Sequence, residues 1–422
     1  RGFGHLETLW TVERQVDILS QKLGIDPYEF RMKNLLKAGD LTMTGELVTP
    51  STGSPIDCLQ AAVKEIGWTG RKSEAERERE WKTGKVRGTG FAMVHKAPAM
   101  PPNAASSIIM QMQGDGHVKV MVGGIDYGQG LITAVSQITA QELDLPMEMI
   151  EVVRGVNTET NPYDWNTVAS KYAFMGGNAT IKAARNMVDQ MKDIASQILR
   201  VSKESLDHGD GYIFYKHDPS VRVAYKDMAY GYAYPNGNGI GGPLISHGYF
   251  TAERLTNLDH ETGQGTPALA WTFGCHAVNI ELDVHSGEIT VLKVASAFDC
   301  GQVLNERMVY SQVMGGVVQG IGSAILEGYK FDDNNVLQNP SFTDNKIPTM
   351  KDMPLEVVPI YIENPQLNGP YGARGVAEHT MISIPSAIGN AVYDATGINF
   401  YRLPLTPENV ALGIKSGKKD IY

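Results

Sequence analysis

Apolar residues recur at helical intervals through the first stretch of the chain. Over "LETLWTVERQVDILSQKL" (6–23), Leu9, Val12, Val16, Leu19 and Leu23 fall on one stripe, and Gly24 ends the predicted helix. Asp26-Pro27 then caps a second helix through "YEFRMKNLL", and "SPIDCLQAAVKEIG" (54–67) reads as a third, closed by glycine. The charged run "RKSEAEREREWKTGKVRGTG" predicts a surface helix and linker, with a domain boundary near residue 85. Beyond it the period changes. "SSIIMQMQGDGHVKVMVGG" (106–124) predicts two strands around a Gly-Asp-Gly turn, and "CHAVNIELDVHSGEITVLKVASAFD" (275–299) a second strand pair. Helices are predicted from Gln129 to about Leu143, over 178–200, over "NERMVYSQVMGGVVQGIGSAIL", and over "PSAIGNAVYDATG" near the end. "MEMIEVVRGV" predicts a strand, whereas 203–262 is poor in pattern and reads as loop-rich. Mixed sheets packed with long helices make an α+β chain, with no period that would mark a repeat array.

Bulk composition narrows the function classes. The 422 residues are 42% hydrophobic and 20% charged, enough for two or three cores. A net charge of −10 argues against nucleic acid or an anionic membrane surface as partner. No apolar run reaches the ~18–20 residues of a membrane span. No secretory leader is recognisable, which says little because the chain opens on Arg1 rather than methionine. Cys58, Cys275 and Cys300 are far apart and form no CxxC pair. They read as buried thiols of a reducing compartment, because a cluster or structural zinc normally takes about four close ligands.

Three glycine-rich turns carry the candidate chemistry. "GGIDYGQGL" (123–131) leaves a strand and enters a helix, where backbone N–H groups suit an anionic group, although plain punctuation would look the same. "NTVASKYAFMGGNAT" (166–180) repeats the arrangement before a long helix. "MGGVVQGIGSA" (314–324) sets Gln319 among helix glycines, which suggests close approach to the backbone by a ligand or a neighbouring helix. In "GPYGARGVAEHT" (369–380), Glu378 is an isolated carboxylate before an apolar helix, either paired with Arg374 or used in chemistry. There is no Walker lysine motif and no nucleophile elbow. Glutamine amides and peptide N–H groups suit a large, heteroatom-rich cofactor, with one carboxylate moving protons.

The opening "RGFG", then "GGIDYGQG", "NTVASKYAFMGGNAT", "VVQGIGSA" and "GARGVAEHT", in this order, resemble the molybdenum hydroxylases, the xanthine dehydrogenase/aldehyde oxidoreductase family. The likeness runs from Arg1 to "YRLPLTPENV" and corresponds to the carboxy-terminal part of that family's molybdopterin region. It implies the end of a first molybdopterin-binding domain in 1–85 and a second such domain in 86–422. It implies that Glu378 is the catalytic base, that Arg1 and Ala169 have backbone beside the metal's oxo and hydroxo ligands, and that Phe3 contacts substrate. Gln319 would hydrogen-bond the oxo ligand. Gly128, Gln129, Gly130, Ser170, Lys171 and Tyr172 would clasp the pterin and its phosphate tail. Pro98 and Ala99 stand where purine-oxidising members place a stacking phenylalanine, which speaks against a purine substrate. Ala377 and His379-Thr380 also depart from the glycine before, and the proline pair after, the family's glutamate.

The resemblance further implies hydroxylation of an electron-poor carbon of an N-heteroaromatic or aldehyde substrate, with water as oxygen source. The cofactor would be molybdenum-molybdopterin in its cytosine dinucleotide form. Iron–sulfur clusters and FAD would sit on partner chains: a [2Fe-2S] subunit, an FAD subunit, and an amino-terminal molybdopterin segment or subunit supplying the rest of the pocket. A cytoplasmic location is expected. A reductive dehydroxylase of the hydroxybenzoyl-CoA reductase type and a non-catalytic cofactor scaffold are the alternatives.

Overall fold

A computed structural model describes residues Arg1–Tyr422. Packing divides them into two units interleaved along the chain. The first holds 1–97, 270–366 and 376–422; the second holds 98–269 and 367–375.

The first unit is built on a four-stranded sheet in the order Lys85–Lys96, Thr272–Asp283, Ile289–Asp299, Glu356–Ile362. Its first three strands are antiparallel and the fourth runs parallel to its neighbour. Side chains alternate across the sheet. Phe91 and Met93 meet the helix Pro55–Ile66 on one face, while Ala92 and Val94 meet the helix Ile384–Thr396 on the other. Gly88 and Gly90 make the second contact possible: a Cβ on either would lie 2.0 or 2.3 Å from the Ala391 or Ala387 carbonyl oxygen. All three cysteines are buried in these two cores and outside any disulfide.

The first helix, His5–Leu23, turns the unexpected way. Its stripe residues Val12, Leu19 and Leu23 are exposed, and its buried face is Leu9, Trp10, Glu13, Arg14, Asp17 and Ser20. A polar network decides this. Arg31 clasps Glu13 at 2.7 Å, and Glu13 also accepts the Met93 peptide N–H. Arg14 donates to Asn390 and Asn399, and the Trp10 ring packs on the Gly389 position. Buried charges so paired cannot be rotated to solvent without breaking the set. Local periodicity does not register that constraint.

The second unit has a sheet ordered Ile245–Thr251, Ala105–Met112, Val118–Val122, Ile150–Val152. The helix Tyr172–Leu199 joins its core through Ala179, Ala183, Met187 and Met191, and the helix Leu131–Leu143 through Leu131, Val135 and Leu143. Gly248 lets the long helix touch the strand, since a Cβ there would sit 2.3 Å from the Ala179 carbonyl oxygen.

Several expectations need correction. The stretch 203–262 is not loop-rich: it holds strands at 206–209, 212–215, 218–224, 230–233, 239–243 and 245–251. Glycine and tyrosine blur the alternation there, and pairing across turns supplies the order instead. The strand Lys85–Lys96 begins inside the charged run, and Glu356–Ile362 was not anticipated. The long helix starts at Tyr172, six residues earlier than its composition suggests, because Gly176 and Gly177 accommodate the Tyr172 ring and Pro370.

Candidate active site

In the first unit the site is built on the helix Glu306–Ile325 and the short helix His379–Ile382. They pack through glycine. A Cβ on Gly316 would lie 1.9 Å from Thr380 Oγ1, and one on Gly320 2.8 Å from the Met381 carbonyl oxygen. The helix glycines thus admit the segment that carries Glu378, which is the tight-packing reading of that motif. Thr380 Oγ1 donates to the Ala377 carbonyl at 2.8 Å, fixing the turn on which Glu378 sits. Gly2 presses on the same helix, 2.8 Å from Ile382 by its Cβ position, and so sets Arg1 and Phe3 nearby.

Arg1 donates to Gln319 Oε1 at 3.2 Å and also to Gln312 Oε1. Gln312 and Gln319 are seven residues apart, two helical turns, so both amides share a face. Burial lowers the Arg1 guanidinium pKa, opposed by the charge of Glu378. Phe3 is 75% exposed, with its backbone in the left-handed region. A cavity of about 530 Å³ opens beside these residues, lined by Arg1, Gln319, Ser323, Glu327, Ile347 and Met381. Burial raises the Glu327 carboxyl.

Glu378 meets the cation of Lys96. Lys96 Nζ donates to Glu378 Oε2, with 2% of the lysine side chain and 15% of the glutamate side chain exposed. His379 is buried with no partner on either ring nitrogen; burial first, then Lys96, pushes its pKa down to about 3, so it is neutral. His95, tilted against the rings of Trp271 and Phe273 at 4.7 and 4.9 Å, falls to about 4 by burial.

In the second unit the turn 123–130 and the segment 166–172 are strapped together. The Ile125 N–H donates to Thr167 Oγ1 at 2.8 Å, and the Tyr127 hydroxyl donates to the Thr167 carbonyl. Tyr172 lies on Gly124, where a Cβ would come within 2.2 Å of its ring. Ala169 and Ser170 both hold positive φ, 58° and 56°, and the Ser170 carbonyl fills the space a Cβ on Gly375 would need. Non-glycine residues persist in that conformation where surroundings over-determine them, commonly at ligand clamps. Lys171 is fully buried and paired with Asp164 at 3.1 Å. Pro98 is half-buried and Ala99 exposed, bridged to Ala268.

The turn is organised differently from the expectation of unpaired N–H groups. Asp126 accepts the Gly128 and Gly130 N–H groups at 2.8 and 3.2 Å through Oδ1, and the Ile132 N–H at 3.0 Å through Oδ2. Burial opposes its charge, but these bonds prevail and hold its carboxyl below the usual range. Gln129 folds back, accepting the Tyr127 N–H at 2.7 Å and donating to the Ile125 carbonyl at 2.9 Å. Gly128, at the outer edge of the turn, has open space around its Cβ position.

Three residues escaped the sequence reading: Lys96, Gln312 and Asp126. The i, i+7 spacing from Gln319 could have found Gln312. Asp126 stood within the quoted glycine turn. Nothing local marks Lys96, whose partner lies 282 residues away.

Within the second unit, strained clamp residues beside a braced glycine turn suit a ligand held by hydrogen bonds. The chain belongs to the molybdopterin cofactor-binding domain family: profiles of that description match residues 61–354 and residues 1–35. It is 29% identical over 419 residues to the putative xanthine dehydrogenase molybdenum-binding subunit of Escherichia coli (strain K12), covering 97% of this chain and 52% of that one. It is also 29% identical to the nicotine 6-hydroxylase large subunit of Paenarthrobacter nicotinovorans, covering 98% and 50%. The chain therefore spans about half the length of the curated relatives it matches. CO dehydrogenase from Oligotropha carboxidovorans superposes with a TM-score of 0.82 at 23% identity, covering 98% of this chain and 52% of that one. Quinoline 2-oxidoreductase from Pseudomonas putida 86 gives 0.80 at 23%, covering 96% and 52%. These likenesses bear out the α+β fold with mixed sheets.

Proposed function

We propose that this chain is the carboxy-terminal part of the molybdopterin-binding catalytic subunit of a molybdenum hydroxylase. Its substrate would be an N-heteroaromatic or aldehyde compound, hydroxylated at an electron-poor carbon with oxygen from water. The cofactor, when bound, supplies the two-electron oxidation. Glu378 removes a proton, and its exposure of 15% keeps water largely out while leaving it reachable. Arg1, Ala169 and Gln319 are assigned to the metal side, and Phe3 to substrate. Gly128, Gln129, Gly130, Ser170, Lys171 and Tyr172 are assigned to the pterin and its phosphate tail. Gln129 serves by shaping the turn, since its amide is engaged within it. Pro98 and Ala99 leave room where an aromatic wall would stand, which favours a non-purine substrate.

The observation that carries this reading is the Glu378 carboxylate, on a turn fixed by Thr380 and packed on Gly316, in a chain of the molybdopterin-binding family. A nicotine hydroxylase and an aldehyde oxidoreductase from Megalodesulfovibrio gigas (28% identical, covering 99% of this chain and 41% of that one) among the relatives support the substrate classes. Matches at 1–35 and 61–354 support two domains of this kind, the second beginning upstream of residue 86. The exposed Val12, Leu19 and Leu23 support a covering amino-terminal molybdopterin segment or subunit. The cytosine dinucleotide form, the [2Fe-2S] and FAD subunits and a cytoplasmic location complete the reading. No helix is long and apolar enough to cross a membrane.

Glu378→Gln tests it. The variant should keep its molybdenum and lose turnover by the ~10²–10⁴-fold typical of a missing general base. Full turnover at full metal content would defeat the assignment.

A further inference from the structure

We infer that Lys96 is a positioning residue for Glu378, anchoring its carboxylate through Oε2. The inference rests on the hydroxylase reading, because it assigns Lys96 through the proposed base.

Lys96 closes the strand Lys85–Lys96, and its backbone is fixed by pairing with Thr272. A lysine with 2% of its side chain exposed has lost nearly all its water, and an ammonium so placed is stable only against a compensating charge. Glu378 supplies that charge through Oε2. The strand is further held at its end by the preceding His95, which packs against Trp271 and Phe273. Other titratable groups face the pair. Arg1 is engaged by Gln312 and Gln319, and His95 and His379 are held neutral. His5, on the first helix, is also pushed down, by burial and then by Lys96.

A carboxylate on a glutamate stem turns freely about its last bond, so its proton-accepting oxygen would otherwise sample many directions. A buried donor with a fixed root restricts that freedom. Positioning of this kind acts on the reacting geometry rather than on substrate affinity. Lys96 should therefore appear in kcat and not in KM.

The test uses the assembled enzyme carrying 13C-carboxyl glutamate, with the infrared carboxylate band of Glu378 identified by its loss in Glu378→Gln. Lys96→Met should lower kcat at least tenfold with KM within about threefold, and should move that band. Lys96→Arg, which keeps a charged donor, should restore most of the rate and return the band toward its original position. Where Lys96→Met does not fold, Lys96→Gln takes its place with the same expected direction. An unmoved band in the resting enzyme overturns the inference whatever the rate. So does a rise in KM at unchanged kcat. Because the band is read without turnover, its outcome is separable from failure of the hydroxylase reading, which full activity of Glu378→Gln would show.

Discussion

A Cβ placed on Gly316 would stand 1.9 Å from Thr380 Oγ1 and 2.5 Å from its Cβ, so the helix that carries Gln319 and the turn that carries Glu378 touch through a missing side chain. Gly315, next in the same helix, has nothing within 4 Å of its own Cβ position. The pair forms an internal control. Gly316→Ala should destabilise the protein by about 1–3 kcal/mol, the usual cost of overpacking, and should displace the Glu378 turn with a matching loss of activity. Gly315→Ala should be neutral or stabilising by up to about 1 kcal/mol, from helix propensity alone. Urea unfolding of both variants checks this; equal midpoints would remove the packing argument.

The turn at 123–130 offers a second comparison. Asp126 accepts three peptide N–H groups and Gln129 bridges two backbone positions, whereas Gln319 meets only the Arg1 guanidinium among side chains. Asp126→Ala and Gln129→Ala should therefore lower the pterin and molybdenum content of the purified enzyme. Gln319→Ala should keep the content and lower the rate per molybdenum. Metal and pterin analysis alongside turnover distinguishes these; earlier melting with content and rate unchanged would reduce all three to packing residues.

Acid should destabilise this protein from pH 6.5 downward. His276 and His379 are both buried, and burial pushes each pKa to about 3 from 6.5. The folded values lie below the unfolded ones, so the unfolded chain binds more protons between these limits. Their contribution is present in full above pH 6.5 and is lost as pH falls toward 3. At pH 5 each would take away roughly 2 kcal/mol. The urea midpoint should thus drop between pH 7 and pH 5. His276→Asn, which can keep a bond to Ser383 in place of the 2.7 Å contact from Nδ1, should show a shallower drop. A parallel pH dependence in wild type and variant would rule His276 out as a source.

By itself the sequence determined the elements whose cause is local. Gly24 and Gly67 end their helices in the left-handed conformation, Asp26 caps Tyr28, and the Gly-Asp-Gly turn joins the hairpin, each because a few adjacent residues suffice. The glycine turns, Gln319 and the isolated Glu378 were legible for the same reason. Tertiary structure alone decided which face of the first helix is buried, because the Glu13–Arg31 and Arg14–Asn390 pairs outweigh an apolar stripe that lies uncovered. It decided that 203–262 forms strands, since sheet order comes from partners across turns rather than from alternation within one segment. It also made Lys96 the partner of Glu378, a contact between residues 282 positions apart that no local pattern encodes. Charge pairing depends on where side chains meet in space, and only the folded chain brings those two together.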